Sequence, residues 1–592
     1  MATSTATSTA LAKPTVRPLR VYAFDPSAGR LLGNKMTLSV EYEPLQPGPI
    51  GKRLSVIDYD GSRKTYYQPV DLDDHVILIQ DGIEPTQSDP RFHQQMVYAV
   101  AAETLQHFET ALGRSVRWRH GRNQLLLFPH AMEQANAFYS PQAHGILFGY
   151  FRASTTQPGR NLPGQSVFTC LSHDIVAHEM THAIIDGIRG FFLEPTNVDV
   201  PAFHEAFADL AALFRHFTHK EALIDTLQKT GGELFQFQVD PDAHGATKSP
   251  VMQAQLAAEN PLIQLAQQFG EASGMRGGLR SALGIVNAKD IETKTEAHAR
   301  GSILVAAVFD AYFTVYTRRT ANLFRIYRAG GGSDKPKDLP GPLAEMLASE
   351  ASRTAERFFT TCARALDFCP PVDITFGDFL RALVTAHLDL DHEDADGVRD
   401  AFMEAFRLRG IVASSADFFS EDALCWPKPD PGLPDISGLV FGDMKGLTKS
   451  EQDTNGQILR KYANTKSNAE RLGFDLKQGP IAAPSFHPVF RPRADGRVDV
   501  DMVVELVQTQ KVSFGNSAQA QGTFPMRSGV TLAVSQSSWD RPDPAIRFVI
   551  EKRFSEDRQE YQRQSYLTSG LASSGSDDSR YRINFGLIHG GI

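Results

Sequence analysis

The sequence predicts an α+β protein with three parts: a β-rich N-terminal part, a mostly helical lobe with a buried helix between the two, and a β-rich C-terminal module. Three observations predict this. Short β-branched or alternating runs, punctuated by Gly, Pro and Asp, crowd residues 20–80. Apolar residues recur at helical spacing through most of 170–410. Period-two alternation returns after residue 498. The 592 residues are 42% hydrophobic and 22% charged, ordinary globular usage, which excludes wholesale disorder and collagen-like fibres. The net charge of −9 lacks the basic footprint of a nucleic-acid binder, and no such partner is expected.

At about 150 residues per domain, this length suits three or four domains. Residues 1–19, rich in Thr, Ala and Ser, read as a disordered tail without the apolar stretch of a secretory signal. Residues 20–165 form the β-rich region, with strands expected at Val21–Phe24, Met36–Tyr42, Leu54–Tyr59 and His75–Gln80. Ser88 to Gly113 switches to helical period, with a Ser-Asp-Pro start and a Gly stop. Two short strands follow, at Val116–Arg119 and Gln124–Phe128. Residues 166–412 carry helices over about 170–189, 201–218, 300–327, 341–368, 375–388 and 396–409. The four prolines of Trp426–Pro434 mark a linker over 413–435, since neither a helix nor a central strand tolerates them.

Residues 436–592 form the last module. Val498–Val507, Gly529–Ser535 and Ala545–Lys552 alternate, so Val530, Leu532 and Val534 share one face and Ile546, Phe548 and Ile550 another. Trp539–Pro544 is expected to turn one strand onto the next, and Ser573–Ser579 to be a polar loop. Cys170, Cys362, Cys369 and Cys425 match no disulfide framework or zinc knuckle and read as free thiols. The longest apolar run, Ile303–Tyr316, is too short to span a bilayer and is interrupted by Asp310. A cytoplasmic location is expected, or export by a route without a recognisable signal peptide.

Chemistry concentrates at Asp174–Asp186, DIVAHEMTHAIID. On a helix, His178 and His182 share a face and can point at one metal ion. Glu179, one position round, can reach a water beside that metal; this is the HExxH pattern of zinc hydrolases. A later helix carries His204-Glu205-x-x-x-Asp209. Glu205 can be the third ligand that a catalytic zinc needs besides an open position. Asp209, four residues on, can accept the outer N–H of a liganding imidazole. One Zn2+ per chain is expected.

HEMTH followed by HEAFAD resembles the thermolysin-like metallopeptidases of the gluzincin type, and further segments match in order over about residues 90–412. Asn136-Ala137-Phe138-Tyr139 resembles the family's backbone-binding edge strand, and Asp174–Ala177 its lead into the zinc helix. Leu279-Arg280-Ser281 and Ala297–Ile303 resemble segments that polarise the substrate carbonyl, and Phe376–Asp378 through Ile411 the closing helical pair. The resemblance implies zinc held by His178, His182 and Glu205, with Glu179 as proton carrier. It implies Arg280 and His298 at the oxyanion, Asn136 and the Ala137 backbone aligning the substrate, and Ile175 and Leu279 in an apolar pocket after the scissile bond. The implied activity is endopeptidase cleavage of a peptide or protein before a bulky apolar residue.

The sequence also departs from the family. His204 stands where the family has Asn, and the loop before Glu205 is longer. No tyrosine lies between His182 and Glu205, where Leu193 is the nearest match. Asp174 matches a Ca2+-binding aspartate, but the acidic residues that would complete that site are absent after Asp209, which argues against calcium. The alternative reading is a catalytically weak zinc scaffold whose C-terminal module binds a protein partner; the retained Glu179 speaks against it. Asp389–Gly397 reads as a polar turn, and His93, His144 and His589 as structural or solvated.

Overall fold

Burial alternates along the first strand, β1 (Val16–Tyr22), which pairs antiparallel with β2 (Lys35–Glu41). It begins within the stretch expected to be a tail. Arg17 occupies an inward position of the alternation beside buried Leu19 and Val21, and donates to the Leu72 and Glu43 carbonyls and to Asp73. An arginine on the inner face disguises the period-two pattern. The computed structural model describes residues 14–27, 34–218, 220, 223–224, 227–228, 264–265, 280–281, 288–332, 339–443, 446–492, 497–515, 522–536, 544–568 and 581–589.

A second sheet carries β3 (Leu54–Val56), β4 (Leu125–Met132), β5 (Ala137–Ser140), β6 (Gly145–Arg152) and β7 (Ser166–Phe168). The order is β3–β4–β6–β5, with β7 on the far end of β6. β3, β4 and β6 run parallel, and β5 lies antiparallel at the edge. His75–Gln80, expected as a strand, is instead a helix, α1 (His75–Ile79), because the Asp74 carboxylate accepts the Val76 and Ile77 N–H groups. Val116–Arg119 is not a strand either. Its polar groups are spent off the ladder: Val116 N–H donates to Glu109, and the Trp118 indole to the Arg53 carbonyl.

α2 (Pro90–Leu112) starts at the Asp89 cap and stops at Gly113, which is left-handed at φ 67°. The helical lobe comprises α3 (His173–Ile188), α4 (Asp199–His216), α5 (Ala297–Ala329), α6 (Gly341–Ala365), α7 (Phe376–Leu390) and α8 (Val398–Leu408). Ser172 caps α3 and Glu296 caps α5; Thr375 and Asp378 cap α7 reciprocally. α3 packs against both α2 and α4, and α4 against α5. Asp389–Gly397 is the expected polar turn: Asp394 caps α8 through the Val398 and Arg399 N–H groups, and Asp396 pairs with Arg319 and Arg357.

The C-terminal part adds α9 (Lys449–Ala463) and α10 (Lys466–Arg471). Four antiparallel strands follow in sequential order: β8 (Ile481–Pro492), β9 (Val498–Ser513), β10 (Thr523–Ser535) and β11 (Ala545–Lys552). Val530, Leu532 and Val534 share a face as expected and pack with Val504, Leu506 and Leu459 in a core of their own. The chain continues into α11 (Glu556–Thr568) and α12 (Phe585–His589). Ile550, Ile583 and Phe585 belong to the larger core of the helical lobe. Residues 539–543 of the expected turn and the loop Ser573–Ser579 lie outside the described residues. The four cysteines are free thiols. Among the described residues, no helix is long and apolar enough to cross a membrane.

One buried ion pair ties the two cores together. Arg189, at the C-terminal end of α3, donates to Glu505 at 2.6 Å, to Thr531 and to the Leu366 carbonyl. Arg189→Ala leaves Glu505 buried without its partner and is expected to cost about 3–5 kcal/mol, read as a lower denaturant midpoint. The double variant Arg189→Met, Glu505→Gln should recover part of that loss. Acid should also destabilise the fold. Burial pushes His93 down to about 3 and His173 down to about 4, so both stay neutral in the fold while the unfolded chain takes up protons near pH 6.5. Their contribution is complete above pH 6.5 and is lost as pH falls towards 4, by about 1.4 kcal/mol per pH unit for each histidine. Melting curves at fixed ionic strength check this.

Candidate metal centre

α3 is a buried helix, and its i, i+4 spacing brings the two imidazoles of the HExxH motif together: His178 Nε2 and His182 Nε2 are 3.1 Å apart. Glu205, two turns into α4, faces them. Its Oε2 lies 3.2 Å from His178 Nε2, and its Oε1 3.6 Å from His182 Nε2. Four-coordinate metal bonds of 2.0–2.1 Å imply donor–donor edges of about 3.4 Å, so the three side chains fit one ion. Asp209, one turn further along α4, meets His178 Nδ1 at 2.9 Å and fixes the tautomer that turns Nε2 inwards.

Glu179 is placed by the edge strand. Its Oε2 accepts the Tyr139 N–H of β5 at 2.9 Å, while the Tyr139 hydroxyl donates to Asp186 on the next turns of α3. His298, in the first turn of α5, lies with Nε2 3.1 Å from Glu205 Oε2 and Nδ1 3.1 Å from Glu296. That contact, chiefly the hydrogen bond from His298, pulls the Glu296 carboxyl down to about 2. Gly301, one turn on, lets the helices touch: a Cβ there would lie 2.9 Å from the Ala202 carbonyl oxygen and 3.2 Å from the Ala206 nitrogen of α4. Arg300 anchors the same crossing by pairing with Asp199 at the start of α4.

Electrostatics follow from burial. Burial drives His182 well below its ordinary value. It also opposes ionisation of Glu205, yet the His589, His182 and His298 imidazoles hold that carboxyl well below the usual range. The His178 and His182 imidazoles and the Glu205 carboxylate thus converge on one point, within a cluster of buried donors that also includes Glu179 and His589 and could hold a metal ion.

The structure brings together His178, Glu179, His182, Glu205, Asp209, His298, Asn136 and Ala137. Ile175 is half-buried on α3 against the core. Leu279 lies outside the described residues, and only the backbone of Arg280 is described, paired with Leu265 in a two-residue ladder. His204 packs its ring 5.5 Å from that of His182. Asp174 accepts from His216 Nε2 at 2.6 Å. His93 joins His130 at 2.8 Å in a buried relay that ends on Asp58. With Cys170, these histidines form a second group of donors able to meet at one ion.

His589 is the residue that sequence reasoning missed. It is buried in the centre, with Nε2 3.2 and 3.3 Å from the two Glu205 oxygens and Nδ1 3.2 Å from Glu179 Oε1. Burial opposes its charge, but Glu179 and Glu205 raise it well above the ordinary histidine value. Nothing near it in sequence marks it as a ligand. In comparisons with known proteins, no family model matches the chain, and no curated protein sequence does either.

Protein purified without added metal should carry one divalent ion per chain by elemental analysis. His182→Ala and Glu205→Ala should each reduce this below a tenth of an ion after dialysis against a chelator, because each removes one of the converging donors on which tight binding depends.

Proposed function

We propose that the chain is a zinc-dependent endopeptidase of the thermolysin-like type. The observation that carries the reading is the placement of Glu179. Its carboxylate stands beside the His178 and His182 donors, and one of its oxygens is held by the Tyr139 N–H, as a proton carrier requires and a purely structural site does not. Two imidazoles with one carboxylate suit zinc, whereas calcium and magnesium favour all-oxygen sets. A zinc ion there supplies Lewis acidity, polarising a scissile carbonyl and lowering the pKa of water towards neutrality.

The rest falls to the chain's own residues. Glu179 Oε2 is fixed by the backbone of β5, and Oε1, which faces His589 Nδ1 at 3.2 Å, would take a proton from the attacking water and hand it to the leaving amine once that contact opens. His298, at the cleft edge, can donate to the developing oxyanion, with Arg280 as the second expected donor. The edge of β5 that is not paired with β6 carries Asn136 and the Ala137 carbonyl, which would align a peptide as an added strand once α12, now bonded to both, is displaced. Asp209 keeps His178 in the metal-facing tautomer.

A second reading, a zinc scaffold that no longer turns over substrate, is favoured by one feature: α12 sits in the same cleft. The two readings differ in what Glu179→Gln does. For an endopeptidase, cleavage of denatured casein falls by about 10²–10⁴-fold while bound metal stays at one per chain. Equal cleavage by wild type and variant would remove Glu179 from the mechanism. Cut sites mapped by mass spectrometry should lie before Leu, Ile, Val or Phe. Burying such a side chain against Ile175 and Leu279 is worth about 1.5–3 kcal/mol, more than tenfold in rate if the contact persists in the transition state.

A further inference from the structure

We propose that the C-terminal segment Tyr581–His589 is an internal inhibitor of the cleft, with His589 supplying a fourth protein donor to the metal and α12 lying where substrate would lie. This inference rests on the zinc-site reading above.

The metal-facing part of the argument is geometric. His589 Nε2 stands 3.2 and 3.3 Å from the Glu205 oxygens, the same spacing that separates the other donors of the centre. The opposite nitrogen, Nδ1, is 2.9 Å from the Ala137 carbonyl oxygen. With Nδ1–H accepted by a backbone carbonyl, it is Nε2 that would give up its proton and turn its lone pair to an ion, the arrangement that metal-bound histidines use. A hydrolytic zinc keeps one position open for water, and a fourth protein donor closes it.

The substrate-facing part is independent of the metal. The groups of the edge strand suited to a peptide backbone are already used. The Asn136 side-chain amide donates to the Gly586 carbonyl at 3.2 Å, and the Ala137 carbonyl is taken by His589. Phe585 is buried and stacks on the His182 ring, with centroids 4.1 Å apart. A Cβ on Gly586 would lie 3.3 Å from the Phe138 ring, so the absence of a side chain allows the close approach of α12 to β5. Upstream, Ile583 N–H donates to the Leu193 carbonyl at 2.7 Å. Buried Tyr581 reaches the Thr523 carbonyl with its hydroxyl at 3.1 Å. The segment is therefore fastened to β5, to the loop before α4 and to the C-terminal sheet. Turnover is held down while these residues occupy the cleft.

The test uses the full-length chain as wild type, His589→Ala, Phe585→Ala, and His589→Ala combined with Glu179→Gln. Visible absorption of the Co(II)-substituted proteins reports the donor set, transfer of zinc to a colorimetric chelator reports how tightly the set holds, and denatured casein reports turnover. The proposal expects His589→Ala to change the cobalt spectrum and speed zinc transfer about 10–100-fold. It also expects casein turnover at least about tenfold above wild type, abolished when Glu179→Gln is added. Phe585→Ala, which removes the anchor and keeps every donor, should raise turnover as well. If His589→Ala fails to fold, an unchanged turnover in Phe585→Ala overturns the proposal. Zinc bound one per chain in wild type and His589→Ala, with identical spectra, transfer rates and turnover, overturns it and leaves the zinc-site reading standing. A changed spectrum without a gain in turnover makes His589 a structural ligand and refutes inhibition. No bound metal in any of the proteins overturns both.

Discussion

Glu179 and Glu205 are 2% and 1% exposed and lie close together on facing helices, and buried carboxylates are tolerable only among donors and positive charge. Much of the structure answers that demand. α3 turns two imidazoles towards Glu205, β5 gives Glu179 a backbone N–H, α5 brings His298 to the Glu205 oxygen that also faces His178, and α12 brings His589 between the two acids. Four segments far apart in the chain converge on two negative charges. The same excess of anionic and imidazole donors is what suits the centre to a divalent cation.

The helix that carries this chemistry is held at both ends. Its N-terminus is capped by Ser172, and beyond its C-terminus Arg189 reaches into the C-terminal sheet, where Glu505 and Thr531 receive it. A cation near a helix C-terminus is favoured by the helix dipole as well as by its partners. Among its links to the rest of the fold, the C-terminal part thus reaches the centre through the base of α3 and through α12 over its ligand face. The strands β9 and β10 keep a core of their own, so the attachment is polar and local at Arg189 and apolar at Phe585.

How much of this could be read from residues depends on how far apart the partners stand. His178, Glu179 and His182 are legible because helical spacing alone decides what they face, and Asp209 is legible for the same reason relative to Glu205. His589 is not, because its partner Glu205 is 384 residues away and α12 is too short to show a period. The α+β class and the longer helices follow from periodicity. Short apolar runs do not: His75–Ile79 is β-branched and apolar, yet one capping aspartate before it makes it helical. β1 was hidden at its start because an arginine occupies an inward-facing position. α9 was also hidden: Thr448 and Glu451 cap it reciprocally, but it buries only Asn455, Gly456, Leu459 and Ala463, too thin a stripe to register as amphipathic.

Gly301 sets the distance between α4 and α5 by main-chain contact, not by the bulk of interlocking side chains. The gap between His298 and Glu205 is therefore set at this crossing, which Arg300 also pins through Asp199. Apolar residues elsewhere along α5 can exchange volume with their neighbours at a local cost, while the width of the centre stays the same. Anyone reshaping this protein would find most of that long helix open to redesign, and one position, without a side chain, acting as the spacer that cannot be recut.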